Sequence, residues 1–264
     1  MPAGSGAYAD ETAFVEEFWT TQWRDRTAAP DVSAVARSEE YPLMAPVLDR
    51  LPPGSQILDG GCGLGAWTVF LAQRGFDVTG IDLSAATVQQ LRRWFPEQRF
   101  IAGDLRHTEF ADASFDAYFS WGTFEHFEVG LGECLTEARR LVRPGGWLFV
   151  SVPYHNWRTI LRDMRALDRW DAAFDPERGY ATPQRFYQWR LPKPELRREL
   201  EQHGFNVRRI EPIGKLTGAG RMLQWDLPIF TKGTRAYNAA CRTVAALAPA
   251  WFISHMILAV AQRR

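Results

Sequence analysis

A glycine-rich turn between two apolar runs, within residues 57–84, constrains the fold more than any other feature of this chain. The first run ends at Asp59, the turn contains Gly61 and Gly63, and the second run ends at Asp82. Glycine lets a backbone turn sharply after a strand and lets a ligand approach it closely. Amides at the start of the next helix bind anionic groups, and an acid at the second strand tip accepts hydrogen bonds from ribose hydroxyls. The segment therefore predicts a strand, loop, helix and strand that hold a nucleoside-bearing cofactor.

Two cofactors fit this pattern. Gly61, Gly63 and Ala66 match the dinucleotide fingerprint G-x-G-x-x-(G/A), and an acid follows at the expected distance of about 20 residues. Asp59 together with Gly61, Gly63 and Gly65 also spells D-x-G-x-G, which places a carboxylate where it can meet an ammonium group. That carboxylate would repel a dinucleotide pyrophosphate but would attract the amino-acid end of S-adenosylmethionine.

Downstream motifs, taken with the glycine turn, resemble those of the class I S-adenosylmethionine-dependent methyltransferases. Residues 99–105 (RFIAGDL) resemble the family's third strand and adenine-binding turn, and residues 115–118 (FDAY) resemble the start of its fourth strand. Residues 124–126 (FEH) are similar to the L-E-H that follows that strand, and residues 141–150 (LVRPGGWLFV) to the Pro-Gly-Gly turn and fifth strand. The resemblance covers about residues 55 to 153.

The resemblance implies which residues hold S-adenosylmethionine. The glycine loop would bind the amino-acid part, Asp82 the ribose, Asp104 the adenine amino group, and the Leu105 amide the adenine ring. Backbone contacts would come from the end of the fourth strand, and no metal site is expected. The expected cofactor-binding residues are Asp59, Gly61, Cys62, Gly63, Gly65, Asp82, Leu83, Asp104, Leu105, Ser120 and Trp121.

Two loop positions depart from the family's usual pattern. Gly60 stands where a bulky aliphatic residue is common, and Leu64 stands where threonine or serine is common. Neither change removes the glycine turn, and both bear on loop flexibility and cofactor affinity.

Two histidines are candidates for a general base. Methyl transfer mainly requires alignment of the acceptor behind the sulfonium methyl, and a base is needed only where the acceptor must lose a proton. His126 follows the fourth strand, close to the expected methyl position, and His155 follows the fifth. Glu125 is interpreted as orienting His126 or capping the local helix. An isolated histidine with a purely structural role is the alternative, which applies to His107 and His203.

Apolar and amphipathic segments alternate along the chain and predict an α/β, doubly wound, Rossmann-like methyltransferase fold. Helices are expected over 64–74, 84–95 and 129–142, between strands of a mostly parallel sheet that is covered on both faces. The resemblance implies seven strands, with residues 254–261 as an antiparallel last strand. Residues 1–50 are expected to form an N-terminal helical cap, and residues 51–264 the methyltransferase domain.

Two regions interrupt this alternation. Residues 154–195 are expected to be an insertion after the fifth strand that acts as a substrate lid, because ligands lie beyond the carboxyl ends of such strands. A small subsidiary core is the alternative. Residues 213–237, rich in glycine, are predicted to be irregular and to supply another pocket wall. The aromatic residues of the insertion are Tyr154, His155, Trp157, Trp170, Phe174, Tyr180, Phe186, Tyr187 and Trp189.

Composition favours a cytoplasmic enzyme. The formal net charge is zero, with 31 basic and 31 acidic residues, so no basic excess points to a nucleic-acid partner. The three cysteines are scattered, which is typical of a reducing compartment. Residues 1–11 lack the features of a signal peptide. Residues 245–261 contain Pro249 and His255 and are interpreted as a helix end and a buried strand, not as a membrane span.

The sequence thus predicts a methyltransferase that acts at oxygen or nitrogen of a small molecule with an apolar or ring face. A bacterial secondary metabolite or a sugar-bearing lipid fits that description. A nicotinamide-dependent oxidoreductase and a non-catalytic S-adenosylmethionine-binding protein are the alternatives. The acceptor, the methylated atom and the oligomeric state are left open by the sequence.

Overall fold

The computed structural model describes residues 8–162, 170–172, 186–227 and 229–264. Strands β1 to β5 and the pair β8 and β9 form a seven-stranded sheet, and β6 and β7 form a separate two-stranded sheet. The strands are β1 (Gln56–Gly60), β2 (Asp77–Asp82), β3 (Arg99–Ala102), β4 (Phe115–Trp121), β5 (Val142–Pro153), β6 (Trp170–Ala172), β7 (Phe186–Trp189), β8 (Phe205–Ile213) and β9 (Met256–Arg263).

Helices cover both faces of the large sheet. The α-helices are α1 (Tyr8–Arg24), α2 (Tyr41–Leu48), α3 (Ala66–Gln73), α4 (Ala85–Trp94), α5 (Gly132–Leu141), α6 (Trp157–Arg162), α7 (Lys193–Gln202), α8 (Lys215–Arg221), α9 (Arg235–Leu247) and α10 (Ala250–Ile253). Short 3-10 helices span Val32–Arg37 and Phe124–His126, and a π-helix spans Met222–Asp226.

The sheet has the strand order β3-β2-β1-β4-β5-β9-β8. Strands β1 to β5 pair in parallel, and β9 runs antiparallel to both β5 and β8. The predicted doubly wound fold with an antiparallel last strand is therefore confirmed. Since the chain winds from β1 to β3 on one side and from β4 onward on the other, the order reverses between β1 and β4. Ligands of such sheets bind at this reversal, beyond the carboxyl ends of the strands.

The central strands alternate their side chains between two hydrophobic cores. On β1, Leu58 joins the core beneath α5 and α7, whereas Ile57 joins the core on the side of α2 and α3. On β4, Tyr118 and Phe119 divide between the same two cores, and all four side chains are fully buried. This alternation follows from the two-residue period of a strand, and it explains why the central strands are almost continuously apolar.

The predicted helices match the structure closely. The helix expected over 84–95 is α4, and the Ser84 hydroxyl accepts a hydrogen bond from the Thr87 amide at 3.2 Å, as an N-cap residue does. The helices expected over 64–74 and 129–142 are α3 and α5, each shorter by one to three residues at its ends.

The prediction of an irregular segment over 213–237 is wrong. This region contains α8, the π-helix and the start of α9. Its glycines serve close packing: a Cβ on Gly218 would lie 1.7 Å from the carbonyl oxygen of Ile253. Glycine is a poor helix former, so the sequence pattern favours a loop, whereas tight packing of α8 against α10 overrides that preference.

The insertion over 154–195 contains α6, β6, β7 and the start of α7 in its described part. Of its aromatic residues, Tyr154 belongs to the main core and Trp189 packs against that core, while Trp157 is exposed. Phe174 and Tyr180 lie outside the described residues, as do the side chains of Trp170, Phe186 and Tyr187. The subsidiary-core alternative is therefore wrong for Tyr154 and Trp189, which extend the main core.

Residues 245–261 divide among the end of α9, the short α10 and the start of β9. Across the described part of the chain, every helix is too short or too polar to cross a bilayer. The last strand, expected over 254–261, is β9 and begins two residues later.

Candidate cofactor site

A cavity lies at the carboxyl ends of β1, β2 and β4, where the strand order reverses. Six of the eleven expected cofactor-binding residues line it, together with His126. These six residues are Gly61, Asp82, Leu83, Asp104, Leu105 and Trp121. The fold therefore brings residues that are up to 60 positions apart in the sequence to one site.

The glycine loop lies directly beneath this cavity. Gly61 has φ +75°, a left-handed conformation that other residues rarely adopt. A Cβ on Gly61 would lie 2.3 Å from the Thr123 hydroxyl oxygen, so a side chain here would fill the cavity. The amides of Gly61 and Cys62 donate to the carbonyl of Ile81 at 2.8 and 3.0 Å, which fixes the loop against β2.

Asp82 connects the glycine loop to the start of α4. One carboxylate oxygen accepts from the Gly63 amide at 2.9 Å, and the other accepts from the Ser84 amide at 3.0 Å. Burial raises the pKa of Asp82, although the two amide hydrogen bonds oppose that rise. Each carboxylate oxygen has two lone pairs, so Asp82 retains acceptor capacity for the ribose hydroxyls of a bound nucleoside.

Asp104 is held by a buried arginine that the sequence motifs do not reveal. The Arg106 guanidinium donates to Asp104 at 2.7 Å, lies 3.2 Å from the Glu11 carboxylate of α1, and stacks over the ring of Phe127 at 4.2 Å. Burial alone would raise the pKa of Asp104, but the hydrogen bonds and charge of Arg106 lower it. Asp104 therefore stays ionised and remains an acceptor for an adenine amino group.

Helix α1 covers the cavity with apolar and aromatic side chains. Val15, Trp19 and Trp23 line it, and the Trp19 ring meets the His126 ring edge-on with centroids 5.2 Å apart. The Trp23 ring lies over the loop, 3.5 Å from the position that a Cβ of Gly63 would occupy. These three residues are spaced four positions apart, so they lie on one face of the helix.

Asp59 lies beneath the loop and does not line the cavity. One of its carboxylate oxygens accepts from the Thr68 hydroxyl at 2.6 Å. Burial raises the pKa of Asp59 to about 7; the Thr68 hydrogen bond opposes this rise, and the nearby Asp82 adds to it. A carboxyl group with this pKa ionises readily when a cation approaches, as a cofactor ammonium would.

Four other expected residues are placed to shape the loop. The Ser120 hydroxyl donates to the Gly60 carbonyl at 2.7 Å, and Cys62 belongs to a small core with residues of α3 and α4. A Cβ on Gly65 would lie 2.9 Å from both Leu91 and Phe100. Together with Gly63 beneath Trp23, these residues pack the loop and lie outside the residues that line the cavity.

The two histidine candidates have different surroundings. His126 is 4% exposed and lines the cavity. His155 follows β5, with its amide donating to the Leu191 carbonyl at 3.1 Å, and it is not among the residues that line the cavity. Of the two candidates, therefore, His126 lines the cavity and His155 does not.

Glu125 is more deeply buried than the sequence suggests. It is 1% exposed, its Oε2 has no hydrogen-bond partner, and its Oε1 lies 3.3 Å from the position that a Cβ of Gly122 would occupy. Burial raises the pKa of Glu125 to about 8. Glu125 is therefore largely a neutral acid at pH 7, directly behind a residue of the cavity wall.

The residues of the cavity fit a nucleoside cofactor with an amino-acid tail. Trp121 belongs to the cavity wall, and its indole nitrogen is buried without a hydrogen-bond partner. No cluster of three potential metal ligands occurs among the described residues. Sequence reasoning missed Trp23, Gly122, Thr123 and Phe127 in the wall.

Comparison with known proteins agrees with this geometry. A family model described as a methyltransferase domain matches residues 57–146, which contain the loop, Asp82, Asp104 and His126. Residues 57–146 therefore belong to a class I S-adenosylmethionine-dependent methyltransferase domain. S-adenosylmethionine is therefore the cofactor of the site, and the nicotinamide alternative is not supported.

The individual relatives differ in their substrates. The chain is 34% identical over 149 residues to the 2-methyl-6-phytyl-1,4-hydroquinone methyltransferase of Synechocystis, covering 51% of this chain and 46% of that protein. It is 33% identical over 105 residues to the malonyl-[acyl-carrier protein] O-methyltransferase of Pseudescherichia vulneris, covering 39% and 40%. The matched segments thus span less than half of these relatives.

Among solved structures, geranyl diphosphate C-methyltransferase from Streptomyces coelicolor superposes with a TM-score of 0.60 at 14% identity. The superposition covers 98% of this chain and 100% of the Streptomyces coelicolor chain. At this identity the likeness supports the fold, and it does not identify the acceptor.

Proposed function

We propose that this chain transfers the methyl group of S-adenosylmethionine to an oxygen or nitrogen atom of a small organic acceptor. The observation that carries the proposal is the cavity that joins Gly61, Asp82 and Asp104 to His126 beneath the aromatic face of α1. The first three residues match the family's cofactor motifs. His126 lines the same cavity, which supports its proposed place beside the methyl group.

The acceptor is proposed to have an apolar or ring face. Trp19, Trp121 and Phe127 line the same cavity as His126, and aromatic walls bind planar or apolar groups well. A secondary metabolite or a sugar-bearing compound with such a face fits. The names of similar proteins mention a hydroquinone, malonyl-[acyl-carrier protein] and geranyl diphosphate, so the acceptor differs among them.

The proposed reaction is an in-line displacement at the sulfonium methyl. The acceptor's lone pair forms the new bond to the methyl carbon, the bond to sulfur breaks, and S-adenosylhomocysteine leaves with the electron pair. An acceptor hydroxyl or ammonium group must also lose a proton. His126 is the proposed proton acceptor because it lines the cavity. Glu125, largely neutral at pH 7, is proposed to position the segment that carries His126.

Three further proposals concern the N-terminal residues, the kind of partner and the location of the protein. Residues 1–50 are proposed as a cap over the cofactor, since α1 supplies Val15, Trp19 and Trp23 to the cavity. A zero formal net charge supports a small molecule over nucleic acid as partner. A cytoplasmic location is supported by three free, buried cysteines.

Two matched glycine variants test the function. Gly61→Ala places a Cβ against Thr123 inside the cavity, whereas Gly54→Ala places one in open space. The two glycines have φ of +75° and +77°, so the backbone cost of the two changes is the same. We expect Gly61→Ala to abolish S-adenosylhomocysteine binding in calorimetry, and Gly54→Ala to bind as the wild type does.

Turnover is then measured as S-adenosylhomocysteine released from S-adenosylmethionine with a panel of hydroxyl, amine and carbon acceptors. Release with a hydroxyl or amine acceptor supports the proposal, and release only with a carbon acceptor would correct the methylated atom. Tight cofactor binding without transfer to any acceptor would favour the non-catalytic binding protein.

A pair of histidine variants tests the proton acceptor. With an acceptor found in that panel, His126→Gln is expected to lower kcat about 10²- to 10⁴-fold, the usual contribution of a general base. His203→Gln is the control, because its ring contacts the Glu199 carbonyl at the end of α7. An unchanged kcat in His126→Gln, with wild-type cofactor binding, would show that the reaction needs no base at this position.

A further inference from the structure

Exposed apolar side chains are concentrated in one part of the surface. Of the nine large apolar side chains that are exposed in the described part of the chain, six lie within residues 216–251. Leu247 is 81% exposed and Ile229 is 76% exposed. Single exposed apolar residues are ordinary, whereas a concentration of them marks a surface that contacts another molecule. The six residues are Leu216, Leu227, Ile229, Phe230, Leu247 and Trp251.

The helices that carry these side chains have a small core of their own. Leu223, Cys241 and Ile253 are buried together where the π-helix, α9 and α10 meet α8. The Tyr237 hydroxyl donates to the Gly220 carbonyl at 3.1 Å and so links α9 to α8. The six exposed side chains lie outside this core, so the packing of the helices does not explain why they are apolar.

The same segment is basic, although the formal net charge of the whole chain is zero. Residues 214–251 contain five basic residues and one acid, Asp226, which forms an ion pair with Arg158 of α6. Four of the five basic side chains form no ion pair with any described residue. They therefore leave uncompensated positive charge on this part of the surface. These four residues are Lys215, Lys232, Arg235 and Arg242.

Basic and apolar side chains border one groove. The groove lies between α9 and the segment formed by α8 and the π-helix, and its volume is about 470 Å³. Leu216 and Trp225 line it from the first segment, and Lys232 and Arg242 line it from α9 and the residues before that helix. Together the six apolar and four basic residues form the α8–α9 surface.

The loop between the π-helix and α9 combines both kinds of side chain within a few residues. Leu227, Ile229 and Phe230 are each at least 36% exposed, and Lys232 and Arg235 follow within five residues. Exposed apolar residues beside lysine and arginine suit the boundary between lipid headgroups and acyl chains, where the apolar groups leave water and the cations meet anionic headgroups.

An anionic bilayer fits the α8–α9 surface better than a protein does. Two copies of the chain in a symmetric contact would place the same unpaired basic side chains against one another. Lysine is depleted at protein–protein interfaces, yet two of the three lysines of the chain, Lys215 and Lys232, belong to this surface. A bilayer that contains anionic lipids accepts the apolar side chains and neutralises the basic ones at the same time.

The α8–α9 surface lies at the edge of the sheet that holds the cofactor cavity. Helix α8 follows the end of β8 at Ile213, which pairs with Met256 at the start of β9. Met256 also pairs with Pro153 at the end of β5. A Cβ on Gly122 of the cofactor cavity wall would lie 3.4 Å from the Met256 methyl group. A bilayer bound to this surface is therefore at the same edge of the sheet as the cofactor.

We propose that the α8–α9 surface docks the protein on an anionic lipid bilayer. The apolar side chains of the loop enter the boundary between headgroups and acyl chains, and the unpaired basic side chains contact the headgroup phosphates. This docking goes beyond the proposed function, because it requires neither the cofactor nor an acceptor.

The test is flotation of the full chain with vesicles of phosphatidylcholine alone and of phosphatidylcholine mixed with phosphatidylglycerol. We expect binding to the anionic vesicles, weaker at higher salt, and no comparable binding to the neutral ones. Ile229→Ser should weaken the binding about tenfold or more, because an isoleucine side chain no longer leaves water. Val129→Ser is the matched control, since Val129 is 50% exposed and lies outside the α8–α9 surface.

A second pair of variants tests the charge. Arg235→Gln should weaken binding to the anionic vesicles about fivefold, the effect of one basic residue near such a surface. Arg198→Gln is the matched control, because Arg198 is an exposed arginine of α7 that forms no ion pair with any described residue. Circular dichroism checks that all four variants fold as the wild type does.

Each result supports or overturns the docking. Absence of wild-type binding to the anionic vesicles overturns it, and so does equal binding by the wild type, Ile229→Ser and Arg235→Gln. An equal loss in Val129→Ser or Arg198→Gln also overturns it, because the contact would then not lie on the α8–α9 surface. Self-association without vesicles that Ile229→Ser abolishes would assign the surface to a second copy instead. Methyl transfer without vesicle binding leaves the proposed function standing, and vesicle binding without methyl transfer leaves the docking standing.

Discussion

Packing against a neighbouring strand explains why position 60 is glycine, where the family commonly has a bulky aliphatic residue. A Cβ at this position would lie 2.4 Å from Cε2 of Tyr118 on the neighbouring strand β4. Tyr118 is fully buried, and its ring occupies the space beside Gly60. The two residues therefore form one packing unit across β1 and β4.

Gly60→Ala tests this unit. Since the added methyl group overlaps the Tyr118 ring, we expect a loss of about 1–3 kcal/mol in the free energy of unfolding, as overpacked cores show. Urea denaturation measures it. Tyr118→Leu replaces the whole ring with a smaller aliphatic group, so the double variant should lose less than the sum of the two single losses. Phe205→Leu on β8, which lies four strands from β1 and three from β4, is the control and should add independently. Additive losses for Gly60 and Tyr118 would contradict the coupling.

The cofactor residues show which parts of a site the sequence predicts. Asp82, Asp104 and Trp121 end strands or follow them, and strand ends are readable from apolar runs that stop at polar or turn residues. Which side chains line the cavity was less predictable. Ser120 and Trp121 are adjacent, yet successive strand residues point to opposite faces, so Trp121 lines the cavity while Ser120 bonds to the Gly60 carbonyl.

At the scale of elements, a buried ion pair holds α1 over the cofactor cavity. Glu11 on α1 accepts from Arg106 at 3.2 Å and from the Glu128 amide at 2.6 Å. Because Arg106 also holds Asp104, the cap and the adenine end of the site share one guanidinium group. The arginine was not predictable from the sequence, since its partner lies 95 residues away.

Glu11→Gln should loosen α1 without changing its helical propensity. The neutral amide weakens the charge-assisted hydrogen bonds to Arg106 and to the Glu128 amide. We expect hydrogen exchange of the amides in residues 8–24 to accelerate about tenfold, and S-adenosylhomocysteine affinity to fall. Glu17→Gln, an exposed position on the same helix, is the control and should leave both quantities unchanged. Wild-type exchange in Glu11→Gln would show that the aromatic face alone holds α1.

The region from β8 to β9 shows where element prediction fails. The low helix propensity of glycine favours a loop at Gly214, Gly218 and Gly220. Helix α8 nevertheless contains Gly218 and Gly220. The contact that decides the matter, between Gly218 and Ile253, joins residues of α8 and α10 that are distant in the sequence. The central sheet was predictable because its apolar pattern is local in the sequence. Helix α8 was not predictable, since tertiary contacts stabilise it.

At the scale of the whole molecule, buried acids set the pH at which the fold is most stable. Burial alone would raise the pKa of Glu137, but hydrogen bonds from Arg140 and Thr108 lower it to about 2. Its stabilisation is present above its unfolded value of 4.5 and is lost as the pH falls toward 2. Asp59 and Glu125 behave oppositely, because burial raises their pKa values to about 7 and about 8.

The unfolded chain releases the protons of Asp59 and Glu125 at lower pH than the native fold does. Between the unfolded values of 3.8 and 4.5 and the folded values of about 7 and about 8, the native state binds more protons, so stability falls as pH rises. We therefore expect the free energy of unfolding, measured by urea denaturation, to peak below neutral pH and to decline up to about pH 8. One group contributes at most about 1.4 kcal/mol per pH unit.

Above pH 7 the decline in stability is due mainly to Glu125, so Glu125→Gln should flatten it. Glu128→Gln, at an exposed position three residues later, is the control and should leave the decline unchanged. A decline that persists unchanged in Glu125→Gln would place its origin in other groups.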